Sequence, residues 1–552
     1  MIDTPVLIVG GGPVGLTLAL GLARQGVRSL LINDRKETTT HPKLDVVNCR
    51  SMEIFRQLGL AGKIRAAGNP LEANQYSAFA ASASGPFYTV MSDRHLIYQP
   101  VTKARQRIRA SSDGSLPLES MQRISQMHLE PVLLEAAKAD PNIELRYGWR
   151  LYGFEQDAGG VTALMHDVDS GQAQHVRAGY LIGCDGPNSK VRNFLNIDYD
   201  GTRDLVGELF IIHLRSDEIA GLYPDKQPYW HTWISRPGFG GLLVSPDAGR
   251  NDYVVHRPFA PRPGESLESI VDAVLGTRLR YEIVQSGPWR PQFLVARSLG
   301  RGRVFIAGDA THQYMPTGGL GMNTGVTEAH NLAWKLAARI HGWGGDALVE
   351  SYASERLAVA RRNRDHVRKC AAGAFEAQFL DNDRAMENTP AGETQRKALA
   401  VEFERKVSRL YESLGVEIGY RYRGSPVICA DDSPEPECAE IEYRPTTWSG
   451  ARLPSGFRAD GSALFDQLDP TGFTLLSVAG SDGEEAKTMA ETAGGMGVPF
   501  KVLTIHEPHL ETMLERKFVL VRPDQHVCWR GNAIPGNGGG IIDTVRGARA
   551  RS

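Results

Sequence analysis

Gly10, Gly12 and Gly15 stand in a GxGxxG spacing directly after the apolar run Pro5-Val6-Leu7-Ile8-Val9. Residues without side chains allow a tight turn, close approach of the backbone to a pyrophosphate, and close packing of a helix on a strand. Leu16, Leu18, Ala19, Leu20, Leu22 and Ala23 follow at helical spacing. The start of that helix turns unpaired N–H groups and a positive dipole end toward phosphates. This is dinucleotide chemistry. The acid that such a unit places on the adenosine ribose, at the end of its second strand, is replaced here. Asn33 occupies the expected position, Asp34 follows it, and either can reach the ribose.

Two later segments carry residues of the same kind. Tyr180-Leu181-Ile182-Gly183-Cys184-Asp185-Gly186 is followed by Ser189 and Arg192. The apolar run Val304-Phe305-Ile306-Ala307 leads into Gly308-Asp309-Ala310-Thr311-His312, then Pro316-Thr317-Gly318-Gly319-Leu320-Gly321-Met322-Asn323. A carboxylate closing a buried strand can accept hydrogen bonds from ligand hydroxyls, and the glycines let backbone N–H groups approach a ring edge. The competing readings are a helix N-cap for Asp309, and a surface cap and ion pair for Asp185 and Arg192. Together and in this order, the three landmarks resemble those of single-component FAD-dependent aromatic hydroxylases of the para-hydroxybenzoate hydroxylase type. The resemblance covers roughly residues 1–375 and is closest to the phenol and polyketide hydroxylase branch, which carries an extra C-terminal domain.

The resemblance implies FAD as cofactor, NADPH or NADH as co-substrate, and O2. The implied reaction is hydroxylation of a phenolic or polycyclic aromatic substrate through a flavin C4a-hydroperoxide. Baeyer–Villiger or decarboxylating oxidation of a polyketide-like substrate, and a non-catalytic flavin or aromatic-ligand binding protein, are the alternatives. Carried over residue by residue, Asp309 takes ribityl hydroxyls, and Gly321, Met322 and Asn323 lie at the flavin pyrimidine edge. Asp185 and Arg192 are shared between the pyrophosphate and the nicotinamide cofactor, and Gln126 sits near the flavin. The carbonyl of Pro316 lies at the substrate–flavin junction. Lys43 stands where relatives often have Arg, keeping the charge and losing the bidentate fork. Asp45, in Lys43-Leu44-Asp45-Val46-Val47-Asn48-Cys49-Arg50, matches the segment that holds the catalytic acid of phenol hydroxylases. It is the candidate general base for a phenol, with a turn-forming aspartate as the competing reading. Among the rings between residues 200 and 295, Tyr229, His231 and Trp233 share a face by strand alternation and are the candidate substrate pocket.

The strand–turn–helix order indicates an α/β chain, and the resemblance implies its fold: a Rossmann-like FAD-binding domain with an inserted mixed-sheet substrate domain and a C-terminal thioredoxin-like domain. Residues 1–199 read as the first part of the FAD-binding domain with some substrate-domain segments, and 200–295 as the substrate sheet. Residues 296–375 carry the second FAD segment and a helical stretch over Thr327–Val367. A helical segment and linker follow at 376–450, with the thioredoxin-like domain at 451–552. Helices are expected around Ser51–Leu60 and Leu129–Ala137, and antiparallel strands near Glu208–Leu214, Trp230–Ser235 and Gly241–Ser245.

The chain has 552 residues, 41% hydrophobic and 23% charged, so it forms several globular domains rather than a disordered chain. Sixty-two basic against 64 acidic residues leave a net charge of −2 and no electrostatic call for nucleic acid. Six scattered cysteines without CxxC spacing indicate neither a disulfide framework nor a metal site. A reducing, cytoplasmic compartment fits. The apolar stretch Val6–Leu22 is too short for a membrane span and too glycine-rich for a signal peptide. Asn196, Asp198, Asp200, Gly201 and Asp204 approach a calcium loop whose closing acid is out of register. Cys528 has no second cysteine in register, which leaves the C-terminal domain a structural or homodimerising role rather than dithiol chemistry.

Overall fold

A computed structural model describes residues 2–42, 45–92, 96–203, 207–248, 251–380, 382–481 and 483–548. The strand Ile2–Val9 lies inside an eight-stranded sheet, with Ser29–Asn33 parallel on one side and Ala173–Gly183 parallel on the other. Val6 faces Ser29 and Tyr180 across these two ladders. Ile143–Tyr147 and Val304–Ile306 extend the parallel run outward. Val6, Leu7 and Ile8 are wholly buried, which is why the strand's second half, Val6–Val9, is a continuous apolar run instead of alternating. The helix Pro13–Arg24 packs along the helix Leu320–Ile340. Four neighbouring parallel strands end in Gly10, Asn33, Cys184-Asp185 and Ala307-Gly308-Asp309. The motif residues therefore meet at one edge of the sheet, the place where open parallel sheets bind ligands.

The second sheet has seven strands, in the order Glu282–Trp289, Leu209–Arg215, Asp252–Arg257, Phe239–Val244, His231–Arg236, Ser77–Ala80, Phe87–Met91. Ser77–Ala80 runs parallel to His231–Arg236, and the other pairs are antiparallel. The three strands expected from alternation are present. Ser77–Ala80 escapes sequence reading because four small or buried residues, Ser-Ala-Phe-Ala, carry no alternation.

The helical pattern over Thr327–Val367 resolves into two helices, Leu320–Ile340 and Asp346–Ala377. Gly342, at φ +85°, supplies the left-handed residue that ends the first. A third long helix, Pro390–Tyr411, returns along the second. The C-terminal domain is a four-stranded sheet ordered Phe500–Ile505, Phe473–Val478, Phe518–Val521, Val527–Gly531, with its first pair parallel and the rest antiparallel. It shares a core with the FAD-binding domain: Phe473 meets Trp334 and Trp343 edge-on, at centroid distances of 6.1 and 5.9 Å.

Beside that core lies a buried ionic cluster. Glu355 receives Arg522 through two hydrogen bonds (2.7 and 3.1 Å) and Lys335 at 2.6 Å, all fully buried. Arg50 reaches the carbonyl of Asp524 (2.8 Å) and the side chain of Gln525, and Glu53 pairs with both Arg50 and Arg452. No helix among the described residues is long and apolar enough to cross a membrane.

Candidate active site

Two cavities meet between the sheets. The first, about 810 Å³, follows the edge of the parallel sheet, and two long helices open into it without side-chain caps. Gly12 caps the helix Pro13–Arg24, and a Cβ there would meet nothing within 4 Å. Gly319, at φ +62°, caps the helix Leu320–Ile340. The first N–H groups of each helix have no partner within it, so the groove offers two separate sets of donors. One suits a pyrophosphate; the other, at Leu320, Gly321 and Met322, suits the electron-rich edge of a heterocycle. The turn itself excludes side chains. A Cβ on Gly10 would come within 2.2 Å of Cys184 O, and one on Gly15 within 2.0 Å of Gly10 O. This donor set and glycine cradle fit FAD.

Asn33 lines the groove at the end of its strand: its Oδ1 accepts from Gly11 N–H (3.1 Å), and its Nδ2 donates to Arg35 O. Asp34 lines the same end and pairs with Arg150 at 3.5 Å. Gln126 lines the groove and donates to Glu130 at 2.6 Å. Asp185 lines it too, while also receiving Lys190 N–H (2.7 Å), Val191 N–H and the Ser189 hydroxyl. Burial holds its carboxyl above the usual range despite these donors. Gly308 N–H donates to buried Glu328 at 2.8 Å, which fixes the turn that points Asp309 into the groove.

Two expected contacts are placed differently. Arg192 does not line the groove: it stacks on Tyr199 (4.2 Å) and donates to Ile197 O. Its connection is indirect, because Tyr199 hydrogen-bonds the carbonyls of Asp309 and Ala310. The Asn323 side chain is occupied by Asn48 N–H, Val46 O and Gly319 O, so it ties the Asp45 segment to the helix start instead of reaching the groove. Lys43 lies outside the described residues.

The second cavity, about 640 Å³, lies against the seven-stranded sheet and shares Asp45, Asp309, Pro316 and Gly319 with the first. Asp45 is thus on the common wall. Its Oδ2 accepts from Trp230 Nε1 at 2.6 Å. Burial raises its pKa, and the nearby Arg123 and the Trp230 hydrogen bond only partly offset this. Arg123 is itself buried, stacks over Trp230 (5.2 Å) and is lowered by burial to about 10. His231 and Trp233 line the cavity. Burial, with Arg123 and His256 nearby, holds His231 well below its usual range and therefore neutral. Its Nδ1 bonds the Tyr411 hydroxyl at 2.8 Å, which also accepts from Trp233 Nε1 (3.0 Å) and bonds Ser77 (2.8 Å).

Tyr229 is a correction. It packs on the other face of the sheet with Tyr223 (5.1 Å) and Phe87 (5.6 Å), and does not line the cavity. Alternation holds only inside a strand, and the strand begins at His231. The preceding bend turns Trp230 inward in its place. Sequence reading also missed Arg123, Tyr411 and Glu417. Tyr411 is the last residue of the helix Pro390–Tyr411, and nothing local marks it as facing a residue 180 positions away.

Residues 3–367 match the FAD binding domain family, and residues 446–546 match the aromatic-ring hydroxylase C-terminal family. The FAD-dependent monooxygenase apdD of Emericella nidulans is 34% identical over 96% of this chain and 88% of its own. The 2,4-dichlorophenol 6-monooxygenase of Cupriavidus pinatubonensis is 30% identical over 99% of this chain and 96% of its own. The solved structure of chromopyrrolic acid-soaked RebC with bound 7-carboxy-K252c has a TM-score of 0.88 and 32% identity, covering 99% of this chain and 100% of that one. An FAD groove with an aromatic-walled chamber opening beside it is what such enzymes need, and the chain belongs to the FAD-dependent aromatic-ring hydroxylases, in the branch with the additional C-terminal domain.

Proposed function

We propose that this hydroxylase uses NAD(P)H and O2 to hydroxylate a phenolic ring of a polycyclic aromatic compound seated in the 640 Å³ cavity, with Asp45 as general base. The observation that carries this reading is the position of Asp45 on the wall common to both cavities. FAD, when bound, stores the electrons from the nicotinamide and activates oxygen. The residues of the chain orient and deprotonate. Trp230 fixes one carboxylate oxygen of Asp45, and a phenol proton within hydrogen-bond reach of the other can be taken as the ring is attacked. Trp230, Trp233 and Val244 give the chamber apolar walls that hold a flat ligand and exclude water. FAD is held by the Gly10–Gly15 turn, the start of the helix Leu320–Ile340, and Asp185, Asp309 and Gln126.

The test is direct. Purified FAD-loaded protein is mixed with NADPH or NADH and a panel containing 2,4-dichlorophenol, 2-naphthol and a hydroxyanthraquinone. Aromatic-stimulated oxidation of the nicotinamide, with a product heavier by one oxygen atom, is the expected result. Nicotinamide oxidation that no aromatic compound accelerates would overturn the reading.

A further inference from the structure

Glu417 is a carboxyl in the substrate chamber that the proposed chemistry does not use. It comes from the single-turn helix Leu414–Ile418 and lines the 640 Å³ cavity together with Ser413, Leu410 and Asn48. Its Oε2 accepts Cys49 N–H at 3.1 Å, the Cys49 thiol also hydrogen-bonds the carboxyl, and its Oε1 has the Ser413 hydroxyl at 3.5 Å. Facing it from the helix Cys49–Gln57 are the Cys49 thiol and Glu53, neither of which is a cation. Arg362, on the helix Asp346–Ala377, is engaged by the carbonyls of Gly415 and Val416. Glu440, behind, touches the short helix through its backbone carbonyl. Among the described residues Glu417 therefore forms no ion pair. Burial raises its pKa to about 7.

A buried carboxyl without a cation is costly unless other donors satisfy it. Here the unfilled side faces a cavity. Drug-sized ligands fill cavities of about 300–1,000 Å³, so a ligand filling this one spans several rings and extends beyond Asp45. We propose that Glu417 is a specificity-determining residue: it accepts a hydrogen bond from an O–H or N–H group that the aromatic substrate carries away from the ring held at Asp45. This rests on the reading of the chamber as the substrate site. A donor is favoured over a carbonyl because the Cys49 N–H, at the start of a helix, already stabilises the ionised form. The ionised form has no cation, and its Oε1 has the Ser413 hydroxyl at the long distance of 3.5 Å, which leaves a substrate donor something to add.

Three naphthols test this in the FAD-loaded protein, with binding read from the flavin absorbance change: 2-naphthol, 2,6-dihydroxynaphthalene and 6-methoxy-2-naphthol. All share the phenol presented to Asp45, so the titration of Asp45, His231, Cys49 and Glu53 cancels in ratios of Kd. Parent protein should bind the dihydroxy compound about tenfold more tightly than the methoxy compound, the usual scale for a hydrogen bond to a charged group. That ratio should grow from pH 6 to pH 8, as Glu417 ionises. Glu417→Gln keeps the shape and an acceptor oxygen and should make the ratio independent of pH. Glu417→Leu should abolish it; if that variant loses flavin, the Gln comparison still decides. Equal binding of the dihydroxy and methoxy compounds, or the same pH slope in Glu417→Gln, would overturn the proposal while leaving the chamber assignment intact. If none of the three perturbs the flavin, the chamber assignment fails and this proposal fails with it.

Discussion

At the scale of single residues, the chamber shifts two groups in opposite directions by one cause. Burial pushes the Asp45 carboxyl up and the His231 imidazole down. Both shifts favour the neutral form, and Arg123 acts on both: it partly restores the charge of Asp45 and further disfavours a protonated His231. Asp45→Asn should slow oxygen transfer by about 10²–10⁴-fold, the usual worth of general-base assistance. FAD binding should persist, and less product should form per NAD(P)H consumed, with hydrogen peroxide making up the difference. In the parent enzyme, transfer should weaken as pH falls through the raised pKa of Asp45, because only the ionised form takes a proton; the Asn variant should lose that limb. Rapid-mixing kinetics across pH would show both. A variant with the parent's transfer rate and coupling would return Asp45 to the role of a loop residue.

At the scale of elements, the glycine turn is the most constrained part of the molecule. Gly10 has φ +112° and its hydrogen sits against the carbonyl of Cys184. Gly10→Ala meets both a backbone conformation worth about 1–3 kcal/mol and a steric overlap that only separation of the two strands relieves. The variant should unfold at lower temperature and release FAD more readily, as followed by flavin fluorescence during heating. Such features were legible in the sequence because each motif is contiguous: an apolar strand, then its turn, then its helix. The site's other half was not. His231 bonds Tyr411, Tyr411 bonds Ser77 and Glu417 bonds Cys49, pairs separated by 180, 334 and 368 positions, and no local spacing encodes such meetings. Alternation read the strand His231–Arg236 correctly but was carried two residues too far toward Tyr229. The lone Cys528 likewise has a neighbour that local reading could not see, since Cys429 N–H donates to its carbonyl at 2.9 Å. Burial holds the Cys528 thiol well above its usual range, which disfavours the reactive thiolate.

At the scale of the whole molecule, the C-terminal domain is bound in by charge as well as by aromatic packing. Burial alone would raise Glu355, yet Arg522 and Lys335 outweigh it and hold it at about 2, below its ordinary 4.5. The folded state thus favours the carboxylate more than the unfolded chain does. That contribution is complete above about pH 4.5 and is lost as pH falls toward 2. Glu355→Gln leaves Arg522 and Lys335 buried without their shared anion and should cost about 3–5 kcal/mol at neutral pH. The gap between variant and parent should narrow in acid. Urea unfolding followed by tryptophan emission would register it, because Trp334 lies beneath Arg522 at 5.2 Å. A variant as stable as the parent at neutral pH would show the cluster to be dispensable.

The shared wall between the two cavities also has a consequence in time. During synthesis the cofactor groove has all its lining residues once Met322 has been made. The chamber beside it waits for Leu410, Ser413 and Glu417, and the clamp on the helix Cys49–Gln57 waits for Arg452 and the Asp524–Gln525 turn. At roughly 5–20 residues per second, the groove is complete many seconds before the last wall is in place. The order of synthesis thus leaves the groove open on its chamber side until the last wall residues have been made.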